Sequence, residues 1–176
     1  MIGRASIVFV VGTAIALAMA ATSGAARIGP ELPKGHPGLG VACLSSCTLA
    51  QVRLGGEPMK APITGTISHF RVQEPNGTYR LQVLHKRENG NYKAVRQSPA
   101  FTDASERPVK SFPVSLSIRK GDFIGMRMPA DTPLSTAAKS RSVWDAFFPA
   151  IAVGTSAPPG DSNPDSLLLY NATVRR

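Results

Sequence analysis

Ser111-Phe112-Pro113-Val114-Ser115-Leu116-Ser117-Ile118 is the stretch that decides the fold class. Phe112, Val114, Leu116 and Ile118 alternate with Ser111, Pro113, Ser115 and Ser117. Successive side chains of a strand point to opposite faces, so this segment presents one apolar and one polar face. A helix would scatter the same residues around its axis. Pro113 removes a ladder donor, which places the segment at a sheet edge or at a non-bonded position.

Working outward, Tyr79, Leu81 and Val83 make a second apolar face opposed by Arg80 and Gln82, with Leu84 as the apolar exception. Further strand-like segments span residues 48–54, 63–73, 92–97, 123–128, 143–148 and 167–174, and no amphipathic helix competes with them. Glu74-Pro75-Asn76-Gly77 and Glu88-Asn89-Gly90-Asn91 join neighbouring segments, and Asn-Gly takes the positive φ that tight hairpins require. Arg119-Lys120-Gly121-Asp122 marks another reversal, with Asp122 read as a turn residue capping its own backbone. Successive hairpins with polar outer faces predict an all-β, antiparallel β-sandwich of jelly-roll type. Residues 129–142 and 154–164 are expected to be long rim loops, the usual place for binding on a rigid sandwich.

The chain opens differently. Arg4 precedes a small-apolar run from Ala5 to Ala21, followed by Thr22-Ser23-Gly24-Ala25-Ala26. This is the layout of a secretory signal peptide, with cleavage expected after Ala20 or Ala26. A retained anchor is the competing reading, at the short edge of what crosses a bilayer. The expected organisation is therefore a signal segment over 1–26, a Gly/Pro-rich leader over 27–46 and a single sandwich domain over 47–176. The expected address is secreted, extracellular or cell envelope, with membrane contact only through the signal segment. About 150 residues are enough for one core and too few for two. Of the 20 Lys and Arg, removing Arg4 leaves 19 against 11 acids, a formal charge of +8. The only cysteines, Cys43 and Cys47, lie close together, and an oxidising compartment favours a disulfide between them. His36, His69 and His85 have no paired spacing, so no metal and no cofactor are expected.

Ala61-Pro62-Ile63-Thr64-Gly65-Thr66-Ile67, Phe70-Arg71-Val72 and Tyr79-Arg80-Leu81-Gln82-Val83-Leu84 are joined by Tyr92, Ser98-Pro99, Phe112-Pro113, Leu116, Gly121-Asp122-Phe123-Ile124-Gly125-Met126 and Leu167-Leu168-Leu169-Tyr170-Asn171-Ala172. Together these resemble a group of uncharacterised secreted actinobacterial proteins in which a jelly-roll-like sandwich follows a signal peptide. The resemblance implies fold and export and transfers no catalytic residue. Some of those proteins continue from the final strand into an Asp-rich, calcium-binding-like tail; this chain has Val174-Arg175-Arg176 there, so no calcium role is carried over.

A hydrolase needs a nucleophile with a base, or two carboxylates in a cleft. Neither pattern is written here: Gly154-Thr155-Ser156-Ala157 lacks the last Gly of a Gly-x-Ser-x-Gly elbow. His69 and His85 are the candidate bases of an alternative reading, a small secreted hydrolase or lyase working on the sandwich face. The basic balance points elsewhere. Arg80, Lys86, Arg87, Lys93 and Arg96 fall in neighbouring hairpin strands and turns, and if Arg80, Lys93 and Arg96 share a face they form a patch for anionic polymers. The plain counterpart is a solvated face. No aromatic residues interleave with these charges, which argues against specific nucleic-acid binding. Trp144, Phe147 and Phe148 form the densest aromatic cluster, and an exposed ring there would pack against a sugar face. The plain counterpart is core packing. The sequence thus predicts a non-enzymatic module for a glycan or anionic cell-wall polymer, with Trp144, Arg80, Lys93 and Arg96 as candidate ligand-binding residues. A purely structural surface protein is the third reading.

Overall fold

A computed structural model describes residues 24–35, 39–104 and 108–176 of the chain; the expected signal segment, up to Ser23, and His36 lie outside the described residues. The strands are β1 (Ala25–Ile28), β2 (Leu39–Val41), β3 (Cys47–Leu54), β4 (Glu57–Pro58), β5 (Gly65–Gln73), β6 (Gly77–Lys86), β7 (Tyr92–Gln97), β8 (Phe101–Asp103), β9 (Val109–Ile118), β10 (Phe123–Met128), β11 (Leu134–Phe147), β12 (Ser156–Ala157), β13 (Asp161–Leu168) and β14 (Tyr170–Arg175). Every pairing among them is antiparallel.

Two sheets result. The smaller runs β1-β14-β5-β9 and the larger runs β12-β7-β6-β10-β3-β11-β13. Eight of the strands, β1, β3, β5, β6, β7, β9, β10 and β14, form the framework. The first of these pairs with the last (β1·β14), the second with the seventh (β3·β10), the third with the sixth (β5·β9) and the fourth with the fifth (β6·β7). That nested pairing is a jelly roll.

The deciding stretch behaves as its alternation requires. Phe112, Leu116 and Ile118 of β9 are buried against the opposite sheet, whereas Ser111, Pro113, Ser115 and Ser117 are exposed. Strand β9 is an edge strand, where Pro113 costs little. Phe112 stacks on Phe70 of β5 at 4.9 Å between ring centroids, and Phe101 of β8 packs on both. Tyr79, Leu81 and Val83 face the same core. Leu84 breaks the pattern because the larger sheet also buries part of its outer face: Leu84, Tyr92, Phe123, Phe147 and Ile151 form a second, smaller cluster there. The segment that covers this cluster is pinned by Gln82, whose Nε2 donates to the Ile151 carbonyl at 2.8 Å, and by Thr48, whose Oγ1 accepts from Ile151 N.

Three expectations need correction. The leader contains structure: β1 lies within what was expected to be signal and leader and closes the smaller sheet beside β14. The Glu74–Gly77 connection is not a hairpin within one sheet, because β5 and β6 belong to different sheets; it crosses the sandwich. The Arg119–Asp122 reversal is present as expected, with Gly121 at φ 93°, and it too carries the chain from one sheet to the other, between β9 and β10. Glu88–Asn91 is the true hairpin, with Gly90 at φ 86° and Arg87 N donating to Asn91 O at 2.8 Å. Finally, much of the two expected rim loops is strand. Leu134–Phe147 and Asp161–Leu168 pair with each other, and β11 also pairs with β3, extending the larger sheet. Gln51 fastens this extension: its Oε1 accepts from Leu168 N at 2.7 Å and its Nε2 donates to the Val143 and Ser166 carbonyls.

Cys43 and Cys47 form a disulfide with Cα atoms 6.1 Å apart, and Cys47 is the first residue of β3. It ties the incoming chain to the start of a central strand. A disulfide is compatible with an extracellular protein.

Candidate functional site

The jelly-roll pairing brings the end of β6, the hairpin after it, the body of β7 and the end of β9 to one lateral rim. A cleft of about 920 Å³ opens there between the two sheets. Val95 and Ile118 contribute apolar lining, and Lys86, Arg87, Lys93, Arg96 and Arg119 supply the charge. Each cation arrives from a different local cause. Lys86 ends β6, Arg87 opens the hairpin, and Arg119 begins the reversal after β9. Lys93 stands opposite His85 and Arg96 opposite Val83, with a bulge between the two pairs. A bulge re-aims side chains on its strand, and here it lets two cations three residues apart line the same cleft. Glu88 and Asp122 are the acids of the lining, so the cations are in excess.

Asp122 is committed to the protein. Its side chain is 5% exposed, Oδ1 lies 2.8 Å from His85 Nδ1, and Oδ2 accepts from Arg119 N at 3.0 Å. The expected backbone cap is therefore present, and the same carboxylate also orients a histidine. His85 is 56% exposed on its side chain. A carboxylate on Nδ1 fixes the orientation of the imidazole ring. The cleft thus offers five cations, an oriented imidazole and backbone-anchored walls. A hollow with such an excess of positive charge concentrates anions.

The structure separates the candidate residues named from the sequence. Lys93 and Arg96 line the cleft; Arg80 does not, standing opposite Arg127 of β10 on the other face of β6. Trp144 is 6% exposed and packs in the core between the sheets, so its ring is not an exposed sugar platform. The reason is strand parity: Trp144 and Ala146 face the core while Asp145 and Phe147 face outward. Of that aromatic trio only Phe148 is substantially exposed. His69 lies on β5 with Nδ1 3.1 Å from Ser68 Oγ, away from the cleft. In sequence Arg119 is only the first residue of a turn and carries no site signal; its nearness to Lys93 and Arg96 exists only once β9 of the smaller sheet meets β7 of the larger.

Among the described residues, no three His, Cys, Asp or Glu side chains gather as a metal site. No family model matches the chain, nor does any curated protein or solved structure.

Proposed function

We propose that the protein is an exported jelly-roll module that binds an acidic glycan or another anionic cell-envelope polymer through the cleft between β7 and β9. The observation that carries this reading is the convergence of Lys86, Arg87, Lys93, Arg96 and Arg119 around one hollow whose buried acid, Asp122, is already engaged. Export is supported by the N-terminal segment and by the disulfide. With Trp144 in the core, charge replaces ring stacking as the recognition chemistry, which moves the ligand from neutral to anionic glycans. Solvent-exposed ion pairs contribute at most about 1 kcal/mol each, so five of them give a site of roughly millimolar strength for a small anion. The test is binding of the protein to arrays of anionic and neutral polysaccharides at low and at physiological salt. Selective, salt-weakened capture of anionic polymers supports the reading; capture of neutral glycans alone, or of nothing, refutes it.

The His85–Asp122 pair favours a second reading, in which the same cleft does chemistry. In elimination next to a uronate carboxylate a base takes the proton from the carbon bearing the carboxylate, cations stabilise the resulting enolate, and the glycosidic C–O bond on the adjacent carbon breaks as that proton is passed to the departing oxygen; His85 can carry it, and no covalent nucleophile is needed. Incubation with uronate polymers, followed by ultraviolet absorbance of the unsaturated product, decides it. Product that disappears in His85→Ala supports a lyase; absence of product leaves a binding module.

A further inference from the structure

We infer that the ligand is an extended acidic glycan that leaves the cleft over Lys86 and continues into a second hollow on the outer face of the larger sheet. This rests on reading the cleft as an anion site, and it adds the ligand's shape and path. The second hollow, of about 360 Å³, is lined among others by Arg53, Lys60, Lys86, Tyr92, Phe123 and Asp145. Lys86 therefore lines both cavities, and the two form one cationic track bent around the end of β6.

The charges of the second hollow are held ready rather than spent. Lys60 Nζ lies 5.9 Å from the centre of the Phe123 ring and Lys86 Nζ 5.2 Å from that of Tyr92. Among the described residues neither ammonium has a carboxylate partner, and a cation over a ring is weakly held when exposed. Asp145, the hollow's acid, is 6% exposed and accepts from Ser162 Oγ at 2.6 Å, so its carboxylate is already engaged.

Shape follows from this arrangement. A small anion occupies one hollow and gains little, whereas a chain with regularly spaced carboxylates or sulfates engages both at once, and the second contact is then intramolecular. A glycan is favoured over single-stranded nucleic acid because Tyr92 and Phe123 are 1% and 3% exposed and offer no free face to stacked bases.

The test compares a uronate disaccharide with a long oligogalacturonate by calorimetric titration at low salt, on the wild-type protein and on an Arg53→Glu/Lys60→Glu variant. Both substituted side chains are exposed, so folding is not at stake. The expected result is at least tenfold tighter binding of the long oligomer per site, with that gain lost in the variant and disaccharide binding unchanged. Equal affinity per site for both lengths overturns the track while leaving the cleft reading intact. Equal losses for both lengths in the variant overturn it too. No binding of either ligand overturns both. Equally tight binding of an oligothymidylate of matched charge overturns the choice of a glycan.

Discussion

His85 Nδ1 and Asp122 Oδ1 meet at 2.8 Å across a sequence separation of 37 residues. His85 stands near the end of β6, and Asp122 closes the reversal that carries the chain from the smaller sheet back to the larger. The same carboxylate caps Arg119 N. One buried side chain thus fixes the turn, the position of Arg119 and the orientation of the imidazole at the mouth of the cleft.

Asp122→Ala should therefore destabilise the fold by about 1 to 3 kcal/mol, the cost of stranding a capped donor in a buried turn. It should also weaken binding of an anionic polymer, although removing an acid from a cationic cleft would by charge counting alone strengthen it. Urea denaturation measures the first effect and titration the second; tighter binding in the variant would mean that Asp122 positions nothing.

Phe112→Ala should cost about 3 to 5 kcal/mol and Leu116→Ala about 2 to 5 kcal/mol, since both fill the interface between the sheets. Phe112 also loses its stacking on Phe70. Denaturant midpoints at constant slope provide the measurement. A loss below about 0.5 kcal/mol at both positions would contradict the assignment of the apolar face of β9 to the core.

Replacing Cys43 and Cys47 by Ala should cost about 2 kcal/mol, because the closed loop is short and loop entropy grows only slowly with length. Thermal unfolding with and without reductant should show the same modest shift in the wild type and none in the double variant.

Tyr170 is buried, its hydroxyl donating to the Ile124 carbonyl at 3.0 Å and accepting from Gln51 N at 3.3 Å. Burial raises its pKa, and burial likewise raises those of Tyr79 and Tyr92, above the ordinary value of 10.0. The neutral phenol is the folded form, so this contribution is whole below pH 10 and declines as the unfolded chain ionises above it. Unfolding in urea should therefore show stability falling from about pH 10 upward. Tyr170→Phe should reduce that fall while lowering stability at neutral pH by about 1 to 3 kcal/mol, the cost of the lost partner for Gln51 N.

The framework was legible where side-chain alternation writes burial into the sequence, as at Phe112, Leu116, Tyr79 and Leu81. It was illegible where ladder hydrogen bonds hold a strand without an apolar face. Leu134 to Ser142 is mostly Ser, Ala, Thr and basic residues, and Asp161-Ser162-Asn163-Pro164-Asp165-Ser166 has the composition of a turn, yet both are strands. The second of these survives because β13 is an edge, where Pro164 and exposed polar side chains are tolerated. Of the site, Lys93 and Arg96 were legible as a local basic run. Arg119 was not, because its nearness to them depends on β9 of one sheet meeting β7 of the other, and the pairing of His85 with Asp122 was not, because it depends on β6 lying beside β10 within the larger sheet. Arg80 and Trp144 went the other way through strand parity, which a single segment does not reveal.

The segment expected to be removed on export yields a further outcome. A cut after Ala26 would take Ala25 and Ala26 out of β1, whereas a cut after Ala20 leaves its pairing with β14 whole. Mass spectrometry of exported protein should find Ala21 as the first residue; a start at Arg27 would mean that β1 is dispensable for the smaller sheet.

The most direct measurement of the cleft's role is titration of an anionic polysaccharide, at low and at physiological salt, into the wild type, a Lys93→Glu/Arg96→Glu variant and an Arg80→Glu control. We expect a loss of at least tenfold in the cleft variant, near-wild-type affinity in the control and weakening of the wild type as salt screens the charges. Equal losses in both variants, or none in either, would contradict an anion site in the cleft between β7 and β9.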